Sequence, residues 1–152
     1  MVSFGGGEEI HSMWGSSPTD VYAAGALTKI YHYDGTSWKS QTPGGTGFIG
    51  VGGSGPSDVY VCNSAHMLHS QGDGKWTEQP VPLPTSENLY SVWALSPTAV
   101  YATTDRAVLA SGGDGVWIPV GMIPTTVYAI WGTSETNLYV VTDFGVYHGT
   151  LP

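Results

Sequence analysis

A ten-residue pattern present in four copies constrains this chain more than any other feature of its sequence. The first copy reads Met13-Trp14-Gly15-Ser16-Ser17-Pro18-Thr19-Asp20-Val21-Tyr22, and the others start at Val51, Val92 and Ile130. In each copy a tyrosine (Tyr22, Tyr60, Tyr101, Tyr139) stands eight residues beyond the position of Trp14, which the later copies fill with Gly52, Trp93 and Trp131. Self-similarity at a fixed period means that each repeat is one small unit, unable to bury its apolar face alone, stacked against its neighbours.

A second marker runs in phase with the first. Asp34-Gly35, Asp73-Gly74 and Asp114-Gly115 are tight-turn dipeptides, and each is followed by a tryptophan, Trp38, Trp76 or Trp117. Between the markers Val, Ile, Thr, Tyr and Trp form short alternating runs bounded by Gly, Pro, Ser and Asp, and no apolar spacing of helical period is sustained. With 22 glycines in 152 residues, twice the usual share of about 7%, the chain is suited to many strands and tight turns. The predicted strands are 10–15, 21–24, 29–33 and 37–40 in the first unit. They are 48–52, 59–62, 67–70 and 76–78 in the second, and 89–93, 100–103, 108–111 and 116–119 in the third. The fourth unit has 127–131, 138–141 and 145–148, with no fourth strand before Pro152.

The missing strand is supplied from the other end. If Met1 is set after Pro152, the repeat continues in phase, with spacings of 38, 41, 38 and 35 that close on 152 residues. Val2-Ser3-Phe4 is therefore predicted to complete the last sheet. Four-stranded antiparallel units of this length are the sign of an all-β fold, a β-propeller of four blades whose ring is closed by the N-terminal strand, a velcro closure. The chain is one domain, 1–152, with blades at about 10–47, 48–88, 89–126 and 127–152 plus 1–9. One chain closes its own four-bladed ring, or two exchange straps as a homodimer of eight blades. Small residues at Ser12, Gly50, Ser91 and Ala129 in the inner strands favour the first.

The Trp-Gly-Ser-Ser-Pro-Thr-Asp-Val-Tyr pattern with its downstream Asp-Gly-x-x-Trp resembles the propeller repeats of large, often secreted bacterial proteins, and loosely the Asp-box of sialidase-like propellers. The resemblance implies a propeller over the whole chain and a secreted or cell-surface setting. It does not extend to the spacing that would carry sialidase chemistry.

Net charge is −8, and Lys29, Lys39, Lys75 and Arg106 are the entire basic complement, so nucleic acid and anionic membrane surfaces are excluded as expected partners. No apolar run has the length of a membrane span, and the first residues lack the basic start and apolar core of a signal peptide. Cys62, the single cysteine, falls in a strand and is expected to be a buried, inert thiol.

Three groups of residues are candidates for a site. Trp38, Trp76 and Trp117 offer flat faces to sugar rings in a multivalent lectin, or pack between blades. His11, Tyr90 and Tyr128 share one repeat position and form a polar aromatic rim at the axis. The loss of tryptophan at Gly52, beside the longer connection before Asn88, predicts a cleft walled by Trp93 or Trp76. Asp20, Asp58, Asn137, Asp34, Asp73 and Asp114 are read as turn residues. His66, His69 and Cys62 invite zinc, but alternation puts His66 and His69 on opposite faces of a strand, and neither a metal nor a cofactor is expected. No nucleophile motif, phosphate loop or repeated carboxylate pair points to catalysis. The expected role is noncatalytic recognition, of carbohydrate or of another protein. A propeller enzyme of glycosidase or lyase type is the third alternative.

Overall fold

A computed structural model describes residues 9–45, 47–84 and 86–150. The first blade is β1 (Ile10–Ser17), β2 (Asp20–Gly25), β3 (Ile30–Tyr33) and β4 (Trp38–Gln41). The second is β5 (Gly50–Gly55), β6 (Asp58–Cys62), β7 (Met67–Ser70) and β8 (Thr77–Gln79), and the third is β9 (Leu89–Ser96), β10 (Ala99–Thr104), β11 (Ala107–Ser111) and β12 (Trp117–Met122). The fourth is β13 (Val127–Ser134), β14 (Asn137–Thr142) and β15 (Gly145–Gly149). Each blade is an antiparallel meander in chain order. The chain is a β-propeller of four blades, with the first strand of each innermost. The predicted closing strand Val2-Ser3-Phe4 lies outside the described residues.

Each repeat pattern folds for local reasons. The innermost strand runs two or three residues further than its spacing predicts, to Ser17, Ser96 and Ser134 in three blades, and the turn shrinks to two residues such as Pro18-Thr19. Proline presets φ there, and the Ser17 hydroxyl accepts the Thr19 N–H at 3.2 Å. A bulge between Gly15 and Ser17, repeated at Gly53/Gly55 and Gly132/Ser134, bends the strand into the turn. At the other marker Asp34, Asp73 and Asp114 each accept the backbone N–H two residues on, and Gly35, Gly74 and Gly115 take φ of 89°, 79° and 82°. The turn reading of these aspartates therefore holds. Lys39, ahead of Thr36, holds the Asp34 carboxyl well below the usual carboxylate range.

The core lies between blades. Tyr22, Ala24 and Ile30 of the first blade meet Val51, Val59 and Val61 of the second, with Phe48 fully buried beside them. Cys62 and Met67 of the second meet Val92, Val100 and Leu109 of the third, and Tyr101 and Val108 of the third meet Ile130 and Val140 of the fourth. At about 1.5–3 kcal/mol for each fully buried large apolar side chain, these junctions hold the fold more than any single sheet does. The inner strands pack in the series β1, β5, β9, β13.

Gly52 corrects an expectation. A Cβ there would lie 2.5 Å from the Val92 carbonyl oxygen, so the glycine brings β5 against the β9 backbone and leaves no cleft where the tryptophan is lost.

Candidate functional site

Two of the three predicted rim residues come together, and they are joined by two residues that the rim prediction did not include. Tyr90 and Tyr128, near the starts of β9 and β13, meet edge to face with ring centroids 5.5 Å apart. Tyr90 donates its hydroxyl to Asp105 Oδ1 at 2.8 Å, and Tyr128 donates to Asp143 Oδ1 at 2.6 Å. Both aspartates stand in the turns between the second and third strands of their blades. Asp105 Oδ2 also accepts the backbone N–H of Asn88 at 2.6 Å, and Asp143 Oδ2 accepts the Thr125 hydroxyl at 2.7 Å. The Thr125 and Tyr128 donors hold the Asp143 carboxyl below the usual carboxylate range, and the carboxylate acceptors raise both phenols. Both aspartates are thus acceptors aimed and fixed by their neighbours. A cavity of about 580 Å³ adjoins them, lined among others by Glu87, Arg106, Thr125 and Phe144.

His11 shares the repeat position but makes other contacts. Its Nδ1 lies 3.1 Å from the Phe48 carbonyl oxygen and its Nε2 3.8 Å from Glu9, so it ties the first blade to the start of the second.

Two of the three outer tryptophans are parts of the junctions. Trp76 packs edge-on against Tyr22 at 6.3 Å and donates its indole N–H to Gln41 at 2.8 Å; Trp117 repeats this on Tyr60 at 6.3 Å and on Gln79 at 3.0 Å. Trp117 is 3% exposed, which corrects its candidacy as a sugar platform. Trp38 is half-buried and tilts against Tyr33 at 5.4 Å.

The aspartates at the other repeated turn do more than turn the chain. His32 Nε2 lies 2.6 Å from Asp20 Oδ1, and its ring stacks on Tyr22 at 4.2 Å. His69 repeats this with Asp58 at 2.9 Å and Tyr60 at 4.5 Å, and His148 with Asn137 at 2.7 Å and Tyr139 at 4.4 Å. The signal in the sequence is a histidine eleven or twelve residues after the turn Asp or Asn. These partners also account for His69; His66 pairs with Glu78 at 2.6 Å, and Cys62 is buried, its thiol pushed up to about 12 by desolvation. The three residues of the zinc hypothesis therefore face different neighbours.

The third blade breaks this pattern. Ala99 and Ala110 replace the acid and the histidine, Val120 replaces Gln41 and Gln79, and a cleft of about 450 Å³ opens there, lined by Tyr101, Ile118, Val120 and Glu135. Burial, then Glu135, raises the Tyr101 phenol. The cleft lies between the third and fourth blades, one junction away from Gly52.

No protein-family model matches the chain, and no curated protein does. Solved propellers do. YCF48 from Cyanidioschyzon merolae aligns with a TM-score of 0.74 at 16% identity, over 93% of this chain and 52% of that one. A structure described as YCF48 bound to D1 peptide aligns at 0.72 and 14%, over 90% and 48%. The computationally designed Ika4 protein aligns at 0.75 and 14%, over 99% and 97%. At these identities the likeness shows the fold alone, and the chain spans about half the length of the YCF48 structures.

Proposed function

We propose that this chain is a noncatalytic recognition module whose binding face is the end carrying Tyr90 and Tyr128, and that its ligand is a carbohydrate. The observation that carries the reading is the paired Tyr90–Asp105 and Tyr128–Asp143 clamp beside a ligand-sized cavity. Rigid aromatic faces take the C–H face of a sugar ring, and fixed carboxylates accept its hydroxyl donors at little ordering cost. Asp105 and Asp143 are each engaged by several donors and Asp143 is held ionised, which suits an acceptor and not a general acid.

A glycan array identifies the sugar, and titration of that sugar at millimolar concentration measures its affinity. Tyr90→Ala should abolish the response while Trp117, inside a junction, still reports a folded protein. Retention of binding in Tyr90→Ala overturns the site, and an array without a single hit overturns the ligand class.

A protein-docking role is the second reading. Glu87, Asp105 and Asp143 around one cavity suit a basic peptide segment, and one structural neighbour is described as bound to a peptide. Peptide binding that weakens with salt and is lost in Asp105→Ala would favour it.

A further inference from the structure

The junctions between consecutive blades reuse the same two surfaces. The later blade contributes an apolar residue of its inner strand, Val51, Val92 or Ile130, which are 6%, 5% and 5% exposed. At the first and third junctions the earlier blade contributes a tryptophan beside the repeated tyrosine, a position that Gly52 fills at the second. Trp14 packs onto the cluster of Val51 and Tyr22, and a Cβ on Gly53 would lie 2.8 Å from its Cη2, so glycine admits the ring. Trp93 packs likewise with Ile130 and Val140.

Each surface has one further copy at an end of the blade series. Met13 holds the position of Val51 and is 58% exposed, with Gly15 at the position of Gly53. Trp131 holds the position of Trp14 and is 57% exposed. Behind Trp131 stand Tyr139, His148 and Asn137, the arrangement that in the first two blades receives the next blade's indole on Tyr22 and Tyr60. Val141 and Val146, 43% and 66% exposed, are on the same blade.

We propose that a second copy of this chain occupies the end face of the fourth blade, with its Met13 and Gly15 seated on Trp131, and that the reciprocal contact closes two copies into one ring of eight blades. The two exposed faces are complementary halves of an interface already formed twice within the chain, at Trp14 and at Trp93, and large exposed apolar residues mark interaction surfaces. Head-to-tail contacts close into a ring when the rotation per copy permits. A solved propeller fold about twice this length supplies the size for two such copies. Trp38, on the incoming face, holds the position of Trp76 and Trp117 and comes into register with Tyr139.

Light scattering on the 152-residue chain across a dilution series tests this. The expected mass is twice the chain's 16.0 kDa. Met13→Glu and Trp131→Arg, both at exposed positions, should each give a monomer with unchanged circular dichroism. Mixing the two variants one to one, or joining both changes in one chain, should restore the dimer by pairing the new charges. A wild-type mass of one copy, or of more than two, overturns the proposal. So does a dimer that survives both single changes, or variants that stay apart on mixing.

Discussion

His32 is held between Tyr22 and Asp20, stacked on the first at 4.2 Å with an interplanar angle of 9° and bonded to the second at 2.6 Å. The triad spans two adjacent strands of one blade, β2 and β3, and also presents the ring that receives Trp76 of the next. Groups that share partners in this way are coupled. His32→Ala and Asp20→Ala should each destabilise the fold by about 1–3 kcal/mol, because each removes a hydrogen bond between two partly buried groups. The double change should cost clearly less than the two single costs added, by about 0.5–3 kcal/mol. Urea unfolding of the four proteins in the cycle measures the coupling.

Tyr22 makes stability sensitive to alkali. Burial, then the Asp20 and Asp73 carboxylates, pushes its phenol up to about 12, above its ordinary value of 10.0. A folded-state value raised in this way means that the unfolded chain releases the proton first as pH rises. The contribution is present in full below pH 10 and is lost between about 10 and 12. The Tyr22 hydroxyl is buried without a hydrogen-bond partner among the described residues, so Tyr22→Phe should be neutral or stabilising at pH 7 and should flatten the alkaline loss. Thermal melts from pH 7 to 11.5, the upper end set near that value, check both parts.

Gly52 is where loss of a side chain was mistaken for loss of packing. Gly52→Ala drives a methyl against the Val92 backbone, which has no rotamer to yield, and should cost about 1–3 kcal/mol by denaturant unfolding. A real cavity at this position would instead make the alanine variant neutral or more stable.

The architecture was legible because its signals repeat. The Trp-to-Tyr interval and the Asp-Gly turns each occur in several copies, so strand order and phase followed from internal comparison, and the strands form at the predicted places. The ends of the inner strands were not legible, since the bulge that carries β1 on to Ser17 depends on pairing with β2. Of the rim, Tyr90 and Tyr128 meet as the repeat position implied. Asp105 and Asp143 were not legible because the second blade has Ser64 at their repeat position, and only the shared interval of fifteen residues from each tyrosine marks them. His11 sits at the same repeat position, but a repeat position fixes a place on a blade and not the neighbour across a junction.

The alanines of the third blade bear on how the molecule opens. In a stack of repeats, stability is a sum of unit terms and junction terms, and local opening starts where the junction term is smallest. The last junction lacks the acid, the histidine and the glutamine that its predecessors use, and has a 450 Å³ cleft in their place. The fourth blade is therefore expected to open as its own cooperative unit. In native-state hydrogen exchange its amides in β14 should open at lower free energy than those of β6 and β10, giving a graded exchange profile along the chain in place of one global value.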